Sequence, residues 1–333
     1  MSAKLFSTLA LGLFIATGAF AGEGATAASK KKAKAPAKVA GTAQPRKAAP
    51  AATPRKAAAG AKATKVSVAG SEQWQATRNL ALASGAALVV EQGGGEPLFQ
   101  KNADVVVPIA SITKLMTAMV VLDAMPALHE TIAITNEDVD TLRGSRSRLR
   151  VGAELTREDA LLVALMSSEN RASHALGRHY PGGLPAFVAA MNRKATELGM
   201  YHTRFEEPTG LSSNNVSTAQ DLARMVAAAH RYPLIREFST TPEATITVSG
   251  RPLAYNNTNQ LVKSTSWDIG LSKTGFIHEA GKCLVMQAWV ADKPVVIVLL
   301  DSAGRLTRIG DANRIKRWME STQALVGRKD RSA

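Results

Sequence analysis

Short apolar stretches bounded by turn residues predict strands near both ends of the patterned part of the chain. Residues 86–90 read as a strand, the glycines at 93–95 as a turn, and residues 97–100 as the partner strand. Towards the C-terminus, residues 271–275, 284–291 and 294–300 are further strands, the last two joined by a tight turn at Asp292-Lys293.

Helical periodicity fills the middle of the chain. Apolar spacing predicts helices over residues 111–124, 156–168, 184–198 and 218–230, and a final helix over 309–325. The second of these begins with the capping box Thr156-x-x-Asp159. Strands at both ends with helices between them predict an α+β fold, in which the termini build an antiparallel sheet around a helical insertion.

The first 70 residues do not show the pattern of a folded domain. Lys4, an apolar run and the small-x-small triplet Ala19-Phe20-Ala21 predict a signal peptide over residues 1–21, with an uncleaved anchor as the alternative. Residues 22–70 are mostly small or basic and predict a disordered tether. The folded domain is expected over residues 71–326, followed by a polar tail over 327–333. We therefore expect export to the periplasm.

The net charge of +14 is concentrated in the tether. Eleven lysines and arginines and no acidic residue lie between Lys30 and Lys65, which leaves only +3 for the rest of the chain. An exported tail does not meet chromosomal DNA, so we expect no nucleic-acid partner. The tether is either a soluble spacer or a contact for an anionic wall polymer or membrane surface.

The cysteine and histidine content restricts the chemistry. Cys283 is the only cysteine, so there is no internal disulfide, and its apolar neighbours favour a buried hydrophobic residue over a reactive thiol. The six histidines include no His-Glu-x-x-His pair, which disfavours a zinc peptidase. We expect no metal and no cofactor.

A Ser-x-x-Lys motif opens the first predicted helix at Ser111 and Lys114. Positions i and i+3 of a helix face the same way, so the lysine amine lies beside the serine hydroxyl. Serine needs a base to act as a nucleophile, and a lysine can serve when desolvation lowers its pKa. An N-capping serine with a surface lysine is the alternative.

A Ser-x-Asn motif, Ser168 and Asn170, lies at the end of the second predicted helix. Its serine can relay a proton to a leaving amine, and its amide can bind a substrate backbone. The same pattern occurs at Ser212-x-Asn214 and Ser213-x-Asn215, in a polar loop where turn formation explains it. A helix end holds side chains more rigidly, which favours the first pair.

The third motif, Lys273-Thr274-Gly275, lies in a predicted strand. The lysine supplies a cation, the glycine permits close backbone approach, and an edge strand can pair with an extended peptide. A charged edge strand with a bulge glycine is the alternative.

The three motifs occur in the order and spacing of penicillin-interacting serine enzymes, 57 and then 105 residues apart. Over about residues 75–325 the chain resembles the serine D-Ala-D-Ala carboxypeptidases, or low-molecular-mass penicillin-binding proteins. Segments 108–117, 207–211, 217–222 and 270–276 carry this resemblance. Segment 165–172 and Phe276 are most similar to the D-alanyl-D-alanine endopeptidase branch, which cuts peptidoglycan cross-links.

The resemblance implies a β-lactamase/transpeptidase-like fold, with an antiparallel sheet flanked by helices and a helical subdomain. It implies that Ser111 forms an acyl-enzyme, that Lys114 accepts its proton, and that Ser168 completes the relay. The substrate-binding positions that it implies are Asn170, Lys273, Thr274, Gly275, Phe276 and Arg308. The N–H groups of Ser111 and Phe276 would form the oxyanion hole. Arg305 competes with Arg308 for the substrate carboxylate, and a solvated cation at the helix end is the alternative to both.

The implied partners are peptidoglycan peptide stems, with β-lactams as covalent inhibitors. Glu169 stands where other penicillin-interacting enzymes have Asp or Gly. The chain ends about 50 residues after the third motif, without the second β-rich domain and amphipathic anchor of many relatives, which favours an endopeptidase. A carboxypeptidase remains open. A class A β-lactamase is disfavoured, because Glu206 and Glu207 precede Pro-Thr-Gly rather than forming a Glu-x-x-Leu-Asn loop. The alternative outside enzymes is a polyanion-binding protein.

Overall fold

The computed structural model of the protein describes residues 80–304 and 306–329. The predicted signal peptide, the tether and Arg305 lie outside the described residues, as do residues 71–79 and the end of the polar tail. The domain boundaries placed on the sequence therefore stay predictions.

The described residues form strands and helices that we number in chain order. The strands are β1 (Ala86–Glu91), β2 (Phe99–Lys101), β3 (Val107–Pro108), β4 (Thr131–Ala133), β5 (Glu154–Thr156), β6 (Val216–Ser217), β7 (Glu243–Val248), β8 (Arg251–Asn256), β9 (Asp268–Ile277), β10 (Gly281–Val290) and β11 (Lys293–Ser302). The helices are α1 (Thr113–Asp123), α2 (Arg157–Met166), α3 (Asn170–Arg178), α4 (Gly183–Glu197), α5 (Ala219–Ala229), α6 (Pro233–Thr240) and α7 (Thr307–Lys329). Short 3₁₀ turns lie at Ala110–Ile112, Asn136–Asp138 and Gln260–Lys263.

A five-stranded antiparallel sheet forms the centre of the fold, in the order β2-β1-β11-β10-β9. Its strands come from the two ends of the described chain, and helices α1 to α6 lie between them in sequence. The predicted α+β architecture is confirmed. Strand β9 lies at one edge of the sheet, so one side of its backbone is not paired with another strand of that sheet.

Both faces of the sheet are covered, and the strand sequences show why. In β11, Val296, Val298 and Leu300 belong to one core cluster, whereas the alternate residues Val295, Ile297 and Leu299 belong to the other. The first cluster contains residues of α1 to α6, and the second contains residues of α7. A strand that is buried on both faces reads as a continuous apolar run, as these sequences do.

Helix α1 is the most enclosed element of the helical part. Nine of its eleven residues are buried, including Lys114. Its side chains meet those of α3, α4 and α5 within the first cluster. Because α1 is packed on all sides, the orientation of its first turn is fixed, and this turn contains the Ser-x-x-Lys motif.

Most predicted elements are present, with shifted ends. The N-cap at Thr156 is confirmed, because its hydroxyl accepts a hydrogen bond from the Asp159 N–H at 3.0 Å. The predicted turn at Asp292-Lys293 is wrong by one residue. The two-residue turn is Ala291-Asp292, with φ of +51° and +57°, which suits a hairpin of two long twisted strands. Helices α3 and α6 and the β7–β8 hairpin were not predicted.

Among the described residues, no helix combines the length and the apolar content that crossing a bilayer requires.

Candidate active site

The first motif forms a close pair at the start of α1. Ser111 lies in the 3₁₀ turn before the helix, and Lys114 lies in its first turn. The Lys114 Nζ is 2.8 Å from the Ser111 Oγ. Lys114 is 1% exposed, and burial lowers its pKa from 10.5 to about 8, against the opposing charges of Glu207 and Glu169.

The other contacts of Lys114 determine where its lone pair points. Its Nζ also donates to the Asn170 Oδ1 at 2.8 Å and to the Thr209 carbonyl oxygen at 2.6 Å. Both oxygens can only accept, and a neutral amine has two N–H bonds and one lone pair. The neutral amine therefore donates its two N–H hydrogens to Asn170 and Thr209, and its lone pair faces the Ser111 hydroxyl.

The second motif meets the third across the cleft. Lys273 Nζ donates to the Ser168 Oγ at 2.7 Å. Burial, and then the charges of Lys114 and Arg308, hold the pKa of Lys273 well below its usual value. The sequence placed Ser168 at the end of a helix, which is wrong in detail. Ser168 lies in the link between α2 and α3 with φ of +63°, and Asn170 is the first residue of α3.

The competing Ser-x-Asn pairs lie elsewhere. Ser212 and Asn214 are bound to the exposed carboxylate of Glu206. Asn215 is buried and bonds to Thr113 Oγ1 and to the Glu207 backbone, a structural role. Neither pair is among the residues that line the cleft.

The third motif lies on the edge strand β9, as predicted. A Cβ at Gly275 would lie 2.9 Å from the Ile109 carbonyl oxygen and 3.2 Å from the Ser111 nitrogen, which is closer than ordinary side chains allow. Glycine therefore lets β9 approach the nucleophile. The Thr274 hydroxyl donates to the Thr258 hydroxyl at 2.7 Å, while Phe276 is half-exposed at the rim.

Arg308 lies behind the third motif, in the first turn of α7. Its Nη1 donates to the carbonyl oxygens of Gly275 and Cys283, both at 3.0 Å, and burial lowers its pKa. Its Nε is buried without a hydrogen-bond partner in the described part of the chain. Its rival Arg305 lies outside the described residues.

A cleft of about 590 Å³ joins the three motifs. Its lining is Ser111, Arg143, Ser145, Ser168, Asn170, Leu211, Thr258, Thr274, Gly275, Phe276, Ile277, His278 and Arg308. The sequence did not indicate Arg143, Ser145 or Thr258, which lie in segments without a periodic pattern. Arg143 spans the mouth of the cleft, because it donates to the Leu211 carbonyl at 2.6 Å and pairs with Glu279 at 2.9 Å.

Strained backbone surrounds the nucleophile. Ala110 has φ of +49°, which costs energy for a residue with a side chain. Gly210 has φ of +81°, and a Cβ there would lie 1.9 Å from the Ala110 carbonyl oxygen. The Glu207 carboxylate holds this loop by accepting from the N–H groups of Thr209 and Gly210 at 2.6 Å each. The Pro-Thr-Gly loop is therefore in direct contact with the turn that contains Ser111.

The cleft is lined by cationic and neutral groups, and no carboxylate is among its described lining residues. Glu207 points into its own loop, and Glu206 is bound to Ser212 and Asn214. Over residues 80–304 and 306–329, no group of three or more histidine, cysteine or acidic side chains is placed to hold a metal ion.

Comparison with known proteins gives consistent matches. The family model described as D-alanyl-D-alanine carboxypeptidase matches residues 72–304. A D-alanyl-D-alanine endopeptidase of Pseudomonas aeruginosa is 52% identical over 244 residues, which cover 73% of this chain and 79% of that protein.

Solved structures share the fold. The crystal structure of the Streptomyces K15 DD-transpeptidase matches with a TM-score of 0.67 and 29% identity, covering 72% of this chain and 98% of that one. Penicillin-binding protein D2 from Listeria monocytogenes, in its ampicillin-bound form, matches with a TM-score of 0.62 and 30% identity, covering 72% and 98%. The β-lactamase/transpeptidase-like fold is therefore confirmed. With its three motifs around one cleft and this family match over most of its length, the chain belongs to the D-alanyl-D-alanine carboxypeptidase family of serine peptidases.

Proposed function

We propose that the protein hydrolyses D-alanyl peptide bonds of peptidoglycan through an acyl-enzyme on Ser111, and that cross-links are its preferred substrate. The observation that carries this proposal is the buried Lys114 amine, 2.8 Å from the Ser111 Oγ and bound on its other sides to two carbonyl oxygens.

Acylation begins when the neutral Lys114 amine takes the proton of the Ser111 hydroxyl. The Oγ then attacks the D-alanine carbonyl carbon, whose oxygen becomes an oxyanion. The N–H groups of Ser111 and Phe276 stabilise this charge, and one such donor is typically worth about 10²–10³ in rate. Asn170 holds the substrate backbone, and the unpaired side of β9 pairs with it as a further strand.

The leaving amine needs a proton, and the Ser168 hydroxyl supplies it while taking up the proton that Lys114 accepted from Ser111, so that Lys114 is neutral again. Ser168 accepts a hydrogen bond from the Lys273 Nζ at 2.7 Å, which orients its hydroxyl for this proton transfer. Arg308 contributes positive potential beside the carboxylate next to the scissile amide. Water then attacks the ester, with Lys114 again as the base, and releases Ser111.

In this proposal β-lactams acylate the same serine, and the resulting acyl-enzyme is hydrolysed slowly. A class A β-lactamase releases its acyl group with a water that a glutamate activates. No carboxylate is among the described residues that line this cleft. Stable penicillin labelling is therefore expected, and fast hydrolysis of nitrocefin would refute it.

We further propose that the enzyme works in the periplasm after cleavage of residues 1–21. The supporting observation is the signal-peptide pattern of the sequence. The basic tether over residues 22–70 then lies on the same side of the membrane as the wall polymer and acts as a spacer or an anionic-surface contact.

The preference for cross-links is tested by digesting purified muropeptide dimers with the full chain and separating the products by mass. We expect dimers to disappear and monomers to form, with Ser111→Ala as the inactive control. The name of the Pseudomonas aeruginosa relative supports this preference. Release of free D-alanine without loss of dimers would instead assign a carboxypeptidase.

A further inference from the structure

The rim of the catalytic cleft carries an aromatic ring that packing does not explain. Phe276 is 50% exposed, although it directly follows the buried glycine of the third motif on β9. The mechanism above uses the backbone N–H of this residue and gives its side chain no role. Because the residue lines the cleft, its exposed ring is available to a substrate.

Two neighbours hold the ring in place. Lys282, on β10, is the strand partner of Phe276, and its ammonium lies 3.8 Å from the centre of the ring. His278 packs edge-on against the same ring, with 5.7 Å between the ring centres. A cation over an aromatic face is an attractive contact. The ring and the ammonium therefore form one unit at the rim.

The ammonium of Lys282 has no anionic partner among the described residues, and its contact there is the aromatic ring. Glu279 lies on the turn that joins β9 to β10, but its carboxylate pairs with Arg143 at 2.9 Å. An unpaired ammonium beside an apolar ring suits a ligand with an apolar chain and a carboxylate further along it.

The position of Arg308 indicates which part of the substrate lies beside this unit. Arg308 donates to the carbonyl oxygens of Gly275 and Cys283, both at 3.0 Å. Gly275 precedes Phe276 in the chain, and Cys283 follows Lys282. In the mechanism above, Arg308 lies beside the carboxylate next to the scissile amide. The residue that carries this carboxylate is the leaving residue, so it lies near the ring and the ammonium.

A cross-link and a D-Ala-D-Ala terminus differ in the side chain of this leaving residue. In the terminus that side chain is a methyl group. In the cross-link it is an aliphatic chain that leads into a second peptide stem with further carboxylates. Methylene groups gain contact with an aromatic ring, and a carboxylate pairs with an ammonium.

We propose that Phe276 and Lys282 bind the leaving side chain of a cross-link, the ring against its methylene groups and the ammonium against a carboxylate beyond them. This inference rests on the proposed function, and it names the contact that favours a second stem over free D-alanine as the leaving group. Arg308 keeps its place at the carboxylate next to the scissile amide, and Lys282 acts further along the leaving residue.

The test uses four peptides with the same acyl part and D-alanine before the scissile bond, which differ only in the leaving residue. The leaving residues are D-alanine, D-norleucine, D-2-aminopimelic acid and D-lysine. Their side chains are a methyl group, an apolar chain, a chain that ends in a carboxylate and a chain that ends in an ammonium.

The kcat/KM of the full chain should follow the chemistry of the leaving side chain. The norleucine peptide should exceed the alanine peptide several-fold, because its chain packs on the ring. The aminopimelate peptide should exceed the norleucine peptide by about two- to fivefold, the size of an exposed ion pair, and the lysine peptide should fall below it. In 0.5 M NaCl the difference between the two charged peptides should shrink.

Lys282→Met tests the ammonium, because methionine keeps an unbranched side chain without the charge. This variant should give equal kcat/KM on the aminopimelate and lysine peptides and leave the alanine peptide unchanged. Lys293→Met is the matched control. Lys293 is an exposed lysine at the opposite end of β10 from Lys282 and does not line the cleft, so its replacement should preserve the order of the four peptides.

Penicillin labelling separates this inference from the function on which it rests. The unmodified chain and both lysine variants should be labelled at the same rate. Equal kcat/KM of the unmodified chain on the aminopimelate and lysine peptides would overturn the inference while labelling persists. An equal loss on all four peptides in Lys282→Met would also overturn it, because Lys282 would then act on the carboxylate that they share. Absence of labelling in the unmodified chain would overturn the proposed function, and this inference with it.

Discussion

The pH dependence of β-lactam acylation tests the central physical claim, which is that burial makes Lys114 a base. The pKa of Lys114 is lowered from 10.5 to about 8 by desolvation. At pH 7 a group with a pKa of about 8 is neutral in about one molecule in ten, whereas a lysine at 10.5 is neutral in about three in ten thousand. Burial thus increases the reactive population about 300-fold, which corresponds to ~3.4 kcal/mol.

The sign of the effect follows from the form of the amine that reacts. Only the neutral amine accepts the proton of Ser111, so the second-order acylation rate should rise about tenfold per pH unit below pH 8. Above pH 8 the rate should level off, because nearly all of the amine is then neutral.

The assay measures the acylation rate with a fluorescent penicillin between pH 5.5 and 9.5, with circular dichroism confirming that the fold persists at each pH. Lys114→Arg is the charged control, since arginine stays protonated throughout this range, and it should lose acylation by at least about 10³. A flat profile would show that Lys114 is not the base. A rate that keeps rising to pH 9.5 without levelling would show that burial does not lower its pKa as described.

Three further predictions concern single positions. Ser168→Ala should lower peptide hydrolysis by about 10²–10⁴, measured as kcat. Ser168→Gly loses the same hydrogen bond from Lys273 but relieves the positive φ, so it should melt at a higher temperature than Ser168→Ala without restoring activity. Gly275→Ala should slow penicillin acylation at least about tenfold, because the new Cβ would lie 2.9 Å from the Ile109 carbonyl oxygen. Gly310→Ala is the control: its Cβ would meet only the Arg314 side chain, so the acylation rate should be unchanged. Cys283 is fully buried with its pKa raised to about 11 by desolvation, so iodoacetamide at pH 8 should label it only after unfolding, as mass spectrometry would show.

The sequence predicted the fold best in those elements whose type follows from a regular local pattern of apolar residues. Helices α1, α2, α4 and α5 and the long strands β10 and β11 carry runs of apolar residues whose period or length sets their type. Helix α3 was missed because its nine residues mix small, polar and charged side chains and begin directly after the Ser168 link. It does have a buried face, but that face consists mostly of small residues, and it packs against α2 and α4.

For the candidate site, the sequence supplied the reactive side chains but not their surroundings. The spacing of Ser111 and Lys114 on one helix determines their contact, because three residues are nearly one helical turn. The Thr209 carbonyl, Arg143 and Ser145 come from loops with no such spacing, so their place at the cleft depends on the path of the whole chain.

By itself, the sequence determined the order of the helices and strands that have a regular apolar pattern, the three motifs and the location of the excess charge in the first 70 residues, because these depend on neighbours along the chain. Only the tertiary structure decided that Lys114 is desolvated, that its two hydrogens are taken by Asn170 and Thr209, and that residues of all three motifs line one cleft. Desolvation and the direction of a lone pair depend on atoms that are distant in sequence and are brought together only by folding.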